Sequence, residues 1–448
     1  MSTVAAPRWP RVLVAVSIWT LMALVFSAPG REGPLGLASL DVIGLAKVLT
    51  RVLLLLGFTA AIFSFSGHPK RSVLLRALGP YGVFVCWAVL SATWSALTAV
   101  SVGQVAGLVL MWQFALVIGL VWNGPNDTEW ILRHATLALF TVSGLIMAVD
   151  LVAHDLSGLN RAMFDEVDHA AAAGIVHPTT AGATASLGLL LVLAGRVFWG
   201  WRWARVLLVP ALLVHGYVLL QAESRTAIVV TAALGGVLAL KAVRGVAFAV
   251  AGLAVSTIVV LYLALDPGLN AVAWAIDTVT TYMRRGESVE QLSTATGRTD
   301  LWRAIWASYL ESPIVGHGYF VTSRDGLLDV WSGPANRTAH NVFLQVLVTT
   351  GAIGALLFLG GLAWAMGAGG FALRRYRASA PLGSFLVLMA AWFAVWGSFS
   401  ESFMGPVYDD SVTFYLCLGL AVAHVPAVAL APARPVLVTQ VERAGAYS

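Results

Sequence analysis

The strongest constraint on this chain is a train of apolar stretches, each long enough to cross a bilayer. A spanning helix needs about 20 mostly apolar residues, because hydrocarbon leaves an unpaired backbone group without any partner. Candidate stretches fall at 11–28, 40–65, 73–95, 98–122, 130–153, 178–196, 203–221, 225–242, 245–265, 340–366, 382–399 and 410–428. The second is the weakest, because Lys47 and Arg51 interrupt it. The first follows Arg8 and Arg11 as a signal peptide would, but its apolar run is longer than a signal core, so it reads as a retained helix. Only 11% of the residues are charged and the mean hydropathy is +0.83. A soluble chain carries about 25% charged residues. The expected fold is therefore an all-α polytopic membrane protein of about 12 transmembrane helices.

Charge decides the orientation. Arg8, Arg11, Lys70, Arg71, Arg76, Arg133, Arg196, Arg202, Arg205, Lys241, Arg244, Arg374, Arg375, Arg377, Arg434 and Arg443 fall on one set of loops, against Asp127, Glu129 and Glu442. That asymmetry marks the cytoplasmic side and puts both termini there. The net charge of +5 does not point to nucleic acid, because the basic residues recur in short clusters between spans. Cys86 and Cys417 both lie inside apolar runs, so neither a disulfide framework nor a metal site is expected. The organisation reads as nine spans within 1–265, an extracytoplasmic loop at 266–339, three spans within 340–428 and a cytoplasmic tail at 429–448.

Loops as long as 266–339 are uncommon unless they are functional or disordered. This one carries helix-like and turn-like pieces. From Thr296 to Arg303 it opens an amphipathic stretch, with Leu301, Trp302, Ile305, Trp306 and Tyr309 at helical spacing. Aromatics in that pattern suit a helix lying in the headgroup region. Pro313 should end it. Gly316-His317-Gly318-Tyr319 reads as a turn, and Thr338 as the N-cap of the next span, with His340 in its first turn. A neutral imidazole at a helix N-terminus suits a base near an anion. The plainer reading of His340 is an interfacial cap, and that of Arg298 a snorkelling surface arginine. Arg225 sits in the very short link Glu223-Ser224-Arg225-Thr226 between two apolar spans. A charge there is a functional candidate, unless it only pairs with Glu223.

These blocks resemble those of the O-antigen ligase and Wzy-type polysaccharide polymerase superfamily. His340-Asn341, nine residues, Gly351 and then Gly354 follow the family's histidine motif. Gly297-Arg298-Thr299-Asp300-Leu301-Trp302, Ser312-Pro313 and Gly316-His317-Gly318-Tyr319 resemble its companion block, and Glu223-Ser224-Arg225-Thr226 its short arginine loop. The resemblance implies a metal-independent, cofactor-free inverting glycosyltransferase of GT-C-like architecture in the bacterial inner membrane. Its donor would be a glycan on undecaprenyl pyrophosphate at the periplasmic face. The loop offers no Asp-x-Asp pair to hold a metal against the pyrophosphate, so Arg225 and Arg298 are the expected phosphate ligands. His340 would be the general base that takes the acceptor's hydroxyl proton. Arg303, His317, Tyr319 and Asn341, with Asp168 and His169 from the 154–177 loop, are further substrate-binding candidates. Glu401, Asp409 and Asp410 would bond sugar hydroxyls or cap helices.

The acceptor separates two enzymes. A polymerase extends one lipid-linked glycan with another. A ligase transfers the chain to lipid A-core, whose phosphates call for a basic outer face. The outer-face residues here lean acidic, which favours the polymerase. Membrane lipids and the proteins of polysaccharide export and chain-length control are the other expected partners, with no nucleic acid. A solute transporter remains the alternative of a different class, although transporters place polar sites near the bilayer midplane, often between repeats.

Overall fold

A computed structural model describes residues 9–27, 42–159, 174–242, 298–330, 333–334, 338–375, 380–404 and 406–430, with isolated positions between 274 and 282. The predicted span at 245–265, the first half of the long loop, and Asp168 and His169 lie outside the described residues.

Apolar runs fold as helices because a helix satisfies its backbone internally. In chain order these are α1 (Trp9–Ala23), α2 (Val42–Ser64), α3 (Pro69–Ser91), α4 (Thr98–Val121), α5 (Pro125–Val152), the single turn α6 (His154–Ser157), α7 (Pro178–Ala194), α8 (Arg202–Gln221), α9 (Arg225–Ala242), α10 (Arg298–Glu311), α11 (Val342–Arg375), α12 (Ala380–Gly397), α13 (Asp409–Val422) and the short α14 (Val425–Ala429). Residues 329–330 and 333–334 pair as a minimal antiparallel ribbon. Among the described residues, nine helices are long and apolar enough to cross a membrane. The protein is a polytopic membrane protein. The expected second span forms as a 23-residue helix despite Lys47 and Arg51. Two other expected spans are shorter: the first is the 15-residue α1, and the last is divided between α13 and α14 by a turn at Ala423 and His424.

The bundle is organised around α3, α4, α11 and α13. Helix α11 runs along α3, and α13 along α4, while α7 packs on α8 and α9. Small residues permit the close approaches, as expected where helices cannot rely on excluding water. A Cβ at Gly361 would lie 2.6 Å from the Tyr81 Cα, and one at Gly419 would lie 2.8 Å from the Ala115 carbonyl oxygen. Tyr81 and Tyr415 share a 2.7 Å hydrogen bond across α3 and α13, beside Phe84 and Phe358. Outward faces stay apolar: Leu356, Val387 and Leu213 are about 70% exposed, as lipid-facing residues should be.

Helix α11 is broken at Gly351, whose φ of +67° is left-handed. The break is a splice. Main-chain N–H groups of His317 and Gly318 reach the Val348 and Thr349 carbonyls at 3.1 and 2.9 Å. The Ala352 and Ile353 amides instead donate to the Pro313 and Ile314 carbonyls. Trp87 donates its indole N–H to the Thr350 carbonyl at 3.0 Å. The Val348, Thr349 and Thr350 carbonyls and the Ala352 and Ile353 amides are thus partnered by the 313–318 turn or by α3. This explains why the sequence pairs Gly316-His317-Gly318 with Gly351. A Cβ on Gly351 would lie 2.1 Å from the Ile314 carbonyl oxygen, and one on Gly316 would lie 2.5 Å from that of Thr349.

Helix α10 ends at Glu311, just before Pro313, as the sequence predicts. Its apolar stripe is not a free headgroup-facing surface, however. Leu301 and Ile305 are buried against Ala339 and Val348, with Trp302 and Tyr309 beside them. Only Trp306, about half exposed, points outward from that set. The splice at Gly351 holds the α10–α11 connection against α11, which gives the stripe a protein seat.

Candidate functional site at one end of the bundle

Basic residues gather at one end of the bundle. Arg11 pairs with Asp127 at 2.8 Å, and the Lys70 ammonium donates to the Leu120 and Trp122 carbonyls. The candidate site lies at the opposite end, where α7, α9, α11 and α13 begin and α12 finishes.

The start of α11 corrects one expectation. The N-cap is Asn341, not Thr338: its Oδ1 accepts hydrogen bonds from the Phe343 and Leu344 amides at 2.9 and 3.1 Å. Asparagine is among the best N-caps, and helical backbone starts only at Val342. His340 therefore precedes the helix instead of sitting in its first turn. Its φ of +45° turns the chain sharply there, at a cost of about 1–2 kcal/mol for a side chain branched from an L-centre. The turn is over-determined. Gln345 accepts from the Ala339 amide at 2.6 Å, and the Asn341 side chain donates to the Ser398 carbonyl at 3.1 Å.

That geometry delivers the His340 ring to Glu401, with Nδ1 3.2 Å from Oε2. The histidine side chain is one-third exposed and the glutamate mostly covered. Burial alone would raise the Glu401 pKa. The His340 ring, a main-chain amide and the field of His177 outweigh it and hold Glu401 at about 2. His177 stands at the N-terminus of α7, where its Nδ1 accepts from the Thr179 amide at 3.2 Å. The loop carrying Glu401 is braced from below by Asp410. Its Oδ2 accepts from the Ser402 hydroxyl and, at 2.9 Å, from the Trp396 indole. The Phe403 amide donates to Ser411 at 3.0 Å.

Arg298 and His340 meet the same loop. The Arg298 guanidinium lies 5.8 Å from the centre of the Phe399 ring. One turn later, Trp302 contacts Phe399 and donates its indole N–H to the Ala339 carbonyl at 2.9 Å. Arg225 enters from another side as the first residue of α9. Its neighbour Ser224 packs on Gly182 of α7, little more than a turn from His177. Helices α7, α9 and α12 are joined there through Ser186, which accepts from Thr231 and from the Trp392 indole. The Tyr282 hydroxyl donates to the Leu220 carbonyl at 2.6 Å, which brings part of the long loop down beside the 222–224 link.

The other sequence candidates have different placements. Arg303 pairs with Asp300 at 2.9 Å and is three-quarters exposed. His317 is buried, with Nε2 2.7 Å from the Ser308 carbonyl. Tyr319 is buried too, and its backbone is clamped by Ser91 and Ser101. Both stabilise the turn against α10, α3 and α4. Sequence reasoning considered Glu401 only as a sugar ligand or a cap and did not pair it with His340. The available signal was its position: a carboxylate in a very short polar link between apolar spans, as Arg225 is. Among the described residues, no group of three or more histidine, cysteine or carboxylate side chains is placed to hold a metal ion.

The fold is that of a polytopic membrane protein with a polar cluster at one end of its bundle. Residues 210–359 match the family model described as O-antigen ligase (Wzy_C). That segment, about a third of the chain, is thus a Wzy_C O-antigen ligase family domain. No curated protein matches the chain. The matched segment holds Arg225, Arg298 and His340, and ends before Glu401.

Proposed function

We propose that this protein is a metal-independent, inverting glycosyltransferase of GT-C-like, twelve-span architecture. Its donor is an oligosaccharide on undecaprenyl pyrophosphate, used at the periplasmic face of the bacterial inner membrane. The observation that carries this reading is that Arg298 and His340, both inside the Wzy_C match, meet one loop beyond it, at Phe399 and Glu401.

The residues divide the work by chemistry. Arg225 and Arg298 are permanently charged and grip the pyrophosphate oxygens, which stabilises the leaving group as its charge grows. His340 Nε2 takes the acceptor hydroxyl's proton as that oxygen attacks the anomeric carbon. A single displacement inverts the configuration there. Close to this end begins an apolar cavity of about 150 Å³ between α11, α12 and α13. Phe343 and Phe403 line its upper part, near His340 and Glu401, and Phe358, Met366 and Met389 its length. Such a groove suits the polyprenyl chain of the donor.

The acceptor is taken to be a second lipid-linked glycan, which makes the enzyme a polymerase. The acidic lean of the outer-face residues supports this over a phosphorylated acceptor. The ligase is the second reading, favoured by the description of the matching family as O-antigen ligase. Purified protein in nanodiscs, given the lipid pyrophosphate-linked oligosaccharide alone, should form a glycan ladder. Transfer only after lipid A-core is added would make it a ligase. No product under either condition would sink both.

A further inference from the structure

Glu401 lies outside the family match and outside every motif that names the site, yet its carboxylate is the side chain that His340 Nδ1 meets. Both partners are held in place. His340 is fixed by its left-handed backbone and by the Asn341 and Gln345 hydrogen bonds. The Glu401 loop is fixed by Ser402, Trp396 and Asp410 beneath it. Rigid bracing on both sides is what a pair of defined orientation needs, and is more than an incidental surface contact requires. Among the described residues, the titratable and charged groups around the pair include His177 at the start of α7, Arg298 from α10 and Asp410 from α13.

We propose that Glu401 is a positioning residue for His340. It accepts a hydrogen bond from Nδ1–H, and so selects the tautomer whose Nε2 is free to take a proton. Its negative charge also stabilises the imidazolium formed when Nε2 receives that proton. The inference rests on the reading of His340 as the base. The balance is simple. The acceptor O–H proton goes to Nε2, the acceptor oxygen bonds the anomeric carbon, and the carbon–pyrophosphate bond breaks with its electron pair on the leaving group. Glu401 stays ionised throughout and exchanges no proton.

The test is steady-state kinetics of the full chain in nanodiscs with the lipid pyrophosphate-linked oligosaccharide. Glu401→Gln should lower kcat by about 10²- to 10⁴-fold, the range for disarming such a carboxylate–imidazole pair, with the donor KM within about twofold. Glu401→Asp should recover at least tenfold of that loss. On a His340→Ala background, Glu401→Gln should cost nothing further, because a residue acting through His340 has nothing left to act on. Wild-type kcat in Glu401→Gln, or a double variant that falls by the full Glu401→Gln factor below His340→Ala, would overturn the proposal and leave the base assignment standing. If His340→Ala itself keeps wild-type kcat, the base assignment fails and this inference fails with it. Should Glu401→Gln not fold, Glu401→Asp decides: reduced kcat at constant KM supports the proposal, and unchanged kcat removes it.

Discussion

Asp150 and His154 form a second carboxylate–imidazole pair, with His154 Nδ1 2.8 Å from Asp150 Oδ1 at the end of α5. It mimics the His340–Glu401 pair in geometry, and its histidine is half exposed. The surroundings differ. Asp150 also accepts from Ser157 at 2.6 Å and from the Tyr217 hydroxyl at 2.7 Å, so its carboxylate ties α5 and α6 to α8. Among the described residues, Asp150 is engaged by His154, Ser157 and Tyr217. His154→Ala should keep kcat within about twofold, whereas His340→Ala should lose about 10²- to 10⁴-fold, the usual worth of a general base. Glycan ladder rates for both variants, side by side, check this. The reverse result would move the chemistry to α5.

The Gly351 splice should dominate stability at this end. Gly351→Ala forces an L side chain into φ +67° and drives its Cβ to 2.1 Å from the Ile314 carbonyl oxygen. Relief requires breaking the hydrogen bonds between the 313–318 turn and α11. The expected loss is about 3 kcal/mol or more, the range of strain combined with a broken buried network. A drop in the thermal midpoint of purified protein, compared with a Gly360→Ala control that meets open space, measures it.

Much of this was legible in the sequence, for physical reasons that mark its limits. Apolar length fixes where helices form, so among the described residues nine expected spans recur, eight of them within about five residues, while 340–366 runs on to Arg375. The motif glycines were visible as spacing, but their purpose was not, because a backbone splice between residues 35 apart in sequence leaves no periodic trace. Thr338 reads as a plausible N-cap locally, yet Asn341 wins because it also reaches Ser398 across the bundle. The same distance hid Glu401: 61 residues separate it from His340. His317 and Tyr319 sit in a polar-looking turn, and only tertiary packing shows that turn to be buried.

Arg225 and Arg298 are expected to hold phosphate through the planar, two-pronged guanidinium. Lysine keeps the charge and loses the fork. Arg225→Lys and Arg298→Lys should each reduce kcat/KM for the lipid-linked donor by about tenfold, corresponding to one charge-assisted hydrogen bond of about 1.4 kcal/mol. Arg298→Lys should also weaken the contact with Phe399. Arg303→Lys serves as the control, because Arg303 is engaged with Asp300 in solvent. Equal losses in all three would mean a diffuse charge effect.

The apolar cavity between α11, α12 and α13 makes a separate prediction. Ala390 lines it, so Ala390→Trp should fill much of its roughly 150 Å³. A donor with a full-length polyprenyl chain should then show a several-fold higher KM. A donor analogue with a short lipid should be affected little. If both donors suffer equally, the tail does not use this groove, although the assignments at the polar end would stand.

The Glu401 carboxylate should set an acid limit on stability. Its pKa falls from the ordinary 4.5 to about 2 in the folded protein: burial raises it, and the stronger pull of His340, a main-chain amide and His177 lowers it. A group with a depressed folded pKa binds fewer protons folded than unfolded, so its stabilisation is present above pH 4.5 and fades as the pH falls toward 2. The shift corresponds to at most about 3 kcal/mol, at 1.36 kcal/mol per unit. Glu401→Gln cannot titrate. Its thermal midpoint in nanodiscs should lie below wild type just above pH 4.5, and the gap should close between about pH 4.5 and 2 as the wild type loses what the variant never had. A gap that stays constant across that window would show that the pair stabilises the fold by packing alone, without the charge on Glu401.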